Sequence, residues 1–300
     1  MAPARPPTSR APARRPPYGR RRALTLGCLG LAVALVVVAV VGVFGWLRGR
    51  GVVPPVPGQE RCVATAGDSS VVLDLDQAHY ASIVVGVSVR RGLAPRAASI
   101  ALATVYQETG IRNLDYGDRD SVGLFQQRPS QGWGTKKQLQ DPYYATGKFY
   151  DALVRVKGWQ SGDITKVAQK VQRSGYPEAY RDHEADARVL ASALTGSSAR
   201  AFSCLVRDAK DADSSGLAAA LTKTFRSGNA SASGGTVTLT ASSTRRAWAY
   251  AHYAVANASR YGVVAVRVGD RQWATNQFNL PGWEDADDLG GKRVEITVAP

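Results

Sequence analysis

The sequence predicts a mainly α protein: one transmembrane helix, a helical domain beyond it, and a small α+β domain at the C-terminus. Three observations carry this expectation. Residues 23–47 (ALTLGCLGLAVALVVVAVVGVFGWL) run for 25 positions without a charge, enough to span a bilayer as a helix. Between residues 62 and 204 most segments carry helical start and stop signals. After residue 211 short β-branched runs alternate with helical patterns, the signature of a small α+β unit.

Residues 1–22 are rich in Pro and Arg and are expected to form a disordered tail. Seven arginines precede the apolar run, whereas only Arg48 and Arg50 follow it closely. The positive-inside rule then places the N-terminus in the cytoplasm and residues 51–300 outside, giving a single-pass plasma-membrane protein. A cleaved signal peptide is the competing reading; against it, the apolar run is too long for a usual signal core and no small-x-small site follows. Residues 1–50 hold nine arginines and no acid, so only +5 of the net charge of +14 belongs to the remainder. No basic–aromatic stripe occurs there, which argues against nucleic-acid binding.

Residues 48–61 read as a short, stiff stalk. In the expected domain at 62–205, SSVVLDL suggests a strand, and Asp76 is a candidate cap for a helix running to Arg91 and stopped by Gly92. A helix opening at Pro95 follows, then a polar loop over 110–120, then helices over 144–157, 163–174 and 178–195. In the expected domain at 211–300, SGLAAALTKTFR reads as a helix and TVTLT as a strand. TRRAWAYAHYAVANASRYG reads as an amphipathic helix, and VVAVRV and VEITV as strands. Trp273 and Trp283 either stack on sugar rings or fill the core.

Cys28 lies near the start of the apolar run and reads as packing against lipid. Outside the membrane only Cys62 and Cys204 remain, so one intramolecular pairing is open to them in an oxidising compartment, with two buried free thiols as the alternative. His79, His183 and His252 show no ligand spacing, and neither a metal nor another cofactor is expected.

The segment 104–110, TVYQETG, places a lone carboxylate, Glu108, near the end of an otherwise apolar helix. Such a group costs several kcal/mol unless paired, hydrogen-bonded or protonated. One reading is a structural salt bridge to Arg112, Arg119 or Arg128; the other is a carboxyl group that keeps its proton. Apolar surroundings and the negative end of a helix dipole both raise a carboxyl pKa.

The stretch from Glu108–Thr109 to Gly123-Leu124-Phe125-Gln126 resembles the lysozyme-like superfamily, in particular soluble lytic transglycosylases and goose-type lysozymes. These have a catalytic Glu followed by Ser at a helix end and a Gly-Leu-Met-Gln turn at a similar interval. DPYYATGKFY (141–150) is similar to the family's Asp-Pro helix start, and the resemblance covers about residues 76–195. It implies cleavage of the β-1,4 bond between N-acetylmuramic acid and N-acetylglucosamine in bacterial peptidoglycan, with Glu108 as general acid. It also implies glycan strands as the partner, and Gln126 as a group that hydrogen-bonds the sugar. Gln127, Trp133, Gln172 and Tyr176 are further candidates for the substrate cleft. Asp115, Asp118 and Asp120 are candidates for a second carboxylate, or else turn formers. At the family's Tyr-Asn-Ala-Gly position this chain has Val171-Gln172-Arg173-Ser174, so the tyrosine that orients the glutamate is missing there; Tyr176 and Tyr180 are its possible replacements. The family's loop serine falls at Gly117. The rival reading is a weakly active or inactive wall-binding scaffold that retains the groove.

Overall fold

A computed structural model describes residues 58–173, 178, 180–207, 212–226 and 230–300. The expected tail, the membrane segment at 23–47, most of the stalk and Tyr176 lie outside these residues. Among the described residues no helix is long and apolar enough to cross a membrane.

Asp74, not Asp76, caps the first helix, α1 (Leu75–Arg90). The Asp74 side chain accepts from the Gln77 backbone while the Gln77 side chain accepts from the Asp74 N–H, a capping box. Asp76 sits in the first turn and pairs with Arg260 at 3.0 Å. Helix α2 (Pro95–Thr109) has its proline in the first turn, where the missing N–H costs nothing, and ends at Gly110 in the left-handed region with φ 61°. From Ala97 to Val105 every residue of α2 is buried, so its last turn emerges from the core carrying Glu108.

Among the described residues this half has four further α-helices, α3 (Lys136–Leu139), α4 (Pro142–Leu153), α5 (Ile164–Gln172) and α6 (Glu184–Leu194), and two short 3-10 turns at Pro129–Gln131 and Arg181–His183. Asp141 caps α4 through the Tyr143 N–H and Asp163 caps α5 through the Lys166 N–H. Helix α2 packs chiefly against α6, α1 and α5.

The expectation of a mainly α fold is overturned, since 44% of the described structure is helical and 19% is strand, arranged in two antiparallel sheets. Three strands, β1 (Arg61–Ala66), β2 (Ser69–Leu73) and β3 (Phe202–Leu205), form a sheet in the order β2-β1-β3. The sequence reading caught only β2 of these. Strand β3 is four residues long and wholly buried, so it shows no alternation; a short apolar run of that kind has no readable period. Cys62 and Cys204 face each other across the β1–β3 ladder and are joined by a disulfide.

The second sheet contains β4 (Ser231–Ser233), β5 (Thr236–Thr240), β6 (Val263–Val268), β7 (Arg271–Ala274), β8 (Trp283–Asp285) and β9 (Arg293–Val298). Its order is β4-β5-β9-β6-β7-β8. Helix α7 (Ser214–Phe225) packs against β4 and β5, and α8 (Thr244–Ala256) against β6 and β9. A short helix, α9 (Ala258–Tyr261), follows α8 and is capped by Gly262.

Helix α8 is not amphipathic as expected: every residue from Ala247 to Ala256 is buried. One side lies on the second sheet, while α1, α6 and β3 of the first half cover the others. Apolar residues all round a helix are the mark of such a position. Consequently the described residues form one compact unit, and those within 62–205 and 212–300 share a core. Trp273 is fully buried and its indole N–H donates to Ser203 Oγ at 3.0 Å; that of Trp283 donates to the Phe202 carbonyl at 2.9 Å. Both tryptophans tie the second sheet to β3, and Trp273 has no face open to a sugar.

Candidate active site

The loop after α2 is built around two conformational demands. Gly123 has φ 79°, and a Cβ there would run into the Leu139 carbonyl. The Thr109 hydroxyl lies 3.0 Å from both the Val105 and Leu124 carbonyls, so the end of α2 is tied directly to the Gly-Leu-Phe-Gln turn. Phe125 is buried and stacks on Phe149 at 4.6 Å, anchoring the turn in the core. These contacts fix the turn beside the Glu108 carboxyl.

Glu108 is partly buried, and both of its hydrogen bonds arrive at one oxygen. The Tyr180 hydroxyl donates to Oε1 at 2.8 Å, and the Gln172 amide Nε2 donates to the same atom at 3.2 Å. Gln172 Nε2 also donates to the Phe125 carbonyl at 2.7 Å, which holds the amide in place. Burial pushes the Glu108 carboxyl pKa upward, while the hydrogen bonds from Tyr180 and Gln172 pull it back down. With Oε1 occupied as an acceptor, Oε2 is the oxygen left to carry a proton when the carboxyl is neutral.

No ion pair to Glu108 occurs among the described residues. The arginines that the sequence offered as partners are engaged elsewhere: Arg112 with Asp74, Arg128 with Asp120 at 2.7 Å, and Arg119 loosely with Asp118 at 3.8 Å. The absence of a fixed cation leaves desolvation as the dominant influence on this carboxyl.

Glu108 lines an open cleft of about 550 Å³ together with Asp118, Arg119, Ser121, Gln126, Gln127, Arg128, Gln131, Trp133, Gln172 and Arg173. The candidate residues divide as follows. Trp133 is half-buried in the cleft wall, and the Gln172 amide reaches Glu108 itself. Gln127 is buried, with Nε2 donating to the Ala145 carbonyl at 3.3 Å. Gln126 spends its amide on the loop: Nε2 donates to the Tyr116 and Gly123 carbonyls, each at 3.2 Å, and Oε1 accepts from the Ser121 hydroxyl at 2.9 Å.

The three aspartates also separate. Asp120 accepts from the Ser130 N–H, the Arg128 guanidinium and the Ser130 hydroxyl, which together hold its carboxyl well below the usual range. It is a loop staple. Asp115 lines a neighbouring depression rather than the cleft. Asp118 is, besides Glu108, the carboxylate among the cleft-lining residues, and its side chain is 91% exposed.

Sequence reasoning did not single out Ser121, Gln131 or Arg173 as lining residues, and it had treated Arg119 and Arg128 only as salt-bridge partners. Arg173 caps α5 in the left-handed region at φ 54°, immediately after Gln172, so its place at the cleft follows from that of its neighbour. Val171, where the resemblance led one to expect a tyrosine, is buried in the core, and Tyr180 supplies a hydroxyl to Glu108 from farther along the chain. Among the described residues no cluster of His, Cys, Asp and Glu has the arrangement of a metal site.

A scan against models of known protein families finds no match to this chain, and a search of curated proteins finds no similar sequence.

Proposed function

We propose that this protein is a membrane-anchored enzyme that cleaves the glycan strands of bacterial peptidoglycan, acting as a lytic transglycosylase or muramidase of the lysozyme-like type. One observation carries the reading: Glu108 is a desolvated carboxyl, without a cationic partner among the described residues, on the wall of a polar cleft. Cleavage of a glycosidic bond needs a carboxyl group still protonated near neutral pH to protonate the departing oxygen.

In this reading Glu108 Oε2 gives its proton to the glycosidic oxygen as the C1–O bond breaks and the leaving sugar departs as an alcohol. Tyr180 and Gln172, both donating to Oε1, orient the carboxyl and stabilise the carboxylate that results. The sugar cation then needs a nucleophile. Asp120 is locked to Arg128 and Ser130, and Asp118 stands largely in solvent. That arrangement favours attack by the sugar's own C6 hydroxyl, with the Glu108 carboxylate taking up the hydroxyl proton and an anhydro product forming. Beside the pairs Arg119–Asp118 and Arg128–Asp120, Arg173 adds a cation to the cleft that suits the carboxylates of lactyl and peptide groups on the strand.

The test is digestion of purified cell wall by the full chain. Release of soluble muropeptides with anhydro ends, lost in Glu108→Gln, is the expected result; reducing ends point instead to hydrolysis with Asp118 as base. Retention on wall material without release identifies a non-catalytic wall binder. Turnover that survives Glu108→Gln at full rate refutes the site.

A further inference from the structure

We propose that His183 is a positioning residue for Glu108: its ring, stacked on the last turn of α2, fastens the turn that brings the Tyr180 hydroxyl to the carboxyl. This rests on reading Glu108 as the reactive carboxyl. The His183 and Tyr106 rings have centroids 5.1 Å apart and lie 5° from parallel. His183 Nε2 is also 3.2 Å from Gln107 Oε1, which accepts from it when the imidazole carries its hydrogen there. Tyr106, Gln107 and Glu108 are consecutive on α2, so His183 holds the first two and Tyr180 meets the third.

The turn that joins these residues is a weak element by itself. Tyr180 leads into the 3-10 turn Arg181–His183, and the His183 N–H donates to the Tyr180 carbonyl at 3.3 Å, tying the two residues across it. Turns of this kind are short and poorly bonded. Helix α6 begins at Glu184 without a side-chain cap, so no local device sets its entry. Arg181 pairs with Glu178 at 2.6 Å and with Asp163 at 3.5 Å, but its side chain is 49% exposed, and ion pairs so open to water contribute little. The stacked pair of half-buried rings is the stronger fastener, because offset aromatic contacts do not depend on an exposed charge.

Burial lowers the His183 pKa against the pull of Asp182 and Asp186, so the stacked ring is neutral near pH 7. Tyr180 is only 1% exposed, so its own ring stays packed when the His183 side chain is cut back. What is lost is the alignment of the Tyr180 hydroxyl with Glu108 Oε1, to which it donates at 2.8 Å. That bond favours the carboxylate, and burial favours the neutral carboxyl; with the bond weakened, burial meets less opposition. Donors of this kind serve a reactive group only while their neighbours hold them to within about half an ångström. His183 has no ligand spacing in the sequence, and it acquires this role through the ring it stacks on.

The test is NMR titration of the Glu108 carboxyl carbon in the full chain, assigned by its loss in Glu108→Gln. In His183→Ala the carboxyl should titrate at higher pH than in the unsubstituted chain. His183→Phe, which keeps a flat ring over Tyr106, should return the titration toward its native position. In a Tyr180→Phe background His183→Ala should add no further shift, because the effect passes through the Tyr180 hydroxyl. If His183→Ala fails to fold, His183→Gln takes its place, since it also lacks the ring. An unmoved or downward titration on loss of the ring, an equal shift in His183→Phe, or a further shift in the double variant overturns the proposal. None of these readings needs turnover, and muropeptide release by the unsubstituted chain reports separately on catalysis. A chain that shows the shifts without cutting wall therefore keeps the fastening role of His183 and loses the catalytic reading.

Discussion

Replacing Tyr180 by Phe removes one oxygen from the environment of Glu108 and leaves a ring of the same shape in a site that is only 1% exposed. In the native protein the Tyr180 hydroxyl donates to Glu108 Oε1 at 2.8 Å. A hydrogen bond to a charged group contributes about 1.5–3 kcal/mol. Part of that survives when the carboxyl is protonated, because Oε1 then still accepts as a carbonyl oxygen. The differential in favour of the carboxylate is therefore about 1–2 kcal/mol, so its loss should raise the Glu108 pKa further. The sign follows from the proton count: the lost donor had favoured the charged form, so the proton is held to higher pH. Titration of the Glu108 carboxyl carbon by NMR, assigned through its loss in Glu108→Gln, measures this without requiring activity. In a muropeptide-release assay the alkaline limb of the pH–rate profile should move upward by the same amount, because a general acid works only while protonated. A limb or titration that stays in place, or moves down, refutes the assignment of Tyr180 as the residue positioning Glu108.

Two further outcomes concern the fold. His79 and His252 are both held neutral, with pKa values lowered to about 4, chiefly by burial. In the unfolded chain an imidazole takes up its proton near pH 6.5, so the unfolded state binds more protons below that pH. Stability should therefore be full above about pH 6.5 and fall toward pH 4, by about 2–3 kcal/mol for each histidine. Urea unfolding at pH 7 and pH 5 checks this, and equal midpoints would count against the buried neutral assignment. The Cys62–Cys204 bridge spans 142 residues, and opening it by a Cys62→Ala/Cys204→Ala double substitution should cost about 5 kcal/mol on the chain-entropy estimate. A thermal midpoint unchanged by the double substitution contradicts that role.

Several elements were legible because their signals are local. Pro95 and Gly110 bracket α2, and β-branched runs mark β5, β6 and β9. The pairing of Cys62 with Cys204 needed only a count of thiols beyond the apolar run. The misread elements fail for equally definite reasons. Strands β1 and β3 gain their stability as partners in one ladder, far apart in the chain, so neither announces itself alone. Helix α8 carries Arg245 and Arg246 at its start and so looks two-sided in sequence, yet its body is enclosed by both halves of the fold. Asp76 and Asp74 are both eligible caps by type, and only the reciprocal bond with Gln77 chooses between them.

By itself, the sequence determined where a carboxylate would sit, at the end of an apolar helix and ahead of a glycine-bearing turn, because caps, turn residues and hydrophobic runs act over a few positions. Only the tertiary structure decided what that carboxylate meets. Tyr180 and Gln172 reach Glu108 across 72 and 64 residues, while Arg112 and Arg128, nearer in the chain, turn to Asp74 and Asp120. Charge alone would have matched the glutamate to a neighbouring arginine. Packing of α2 against the elements that carry Gln172 and Tyr180 gave it two neutral donors on one oxygen and left the other without a hydrogen bond among the described residues.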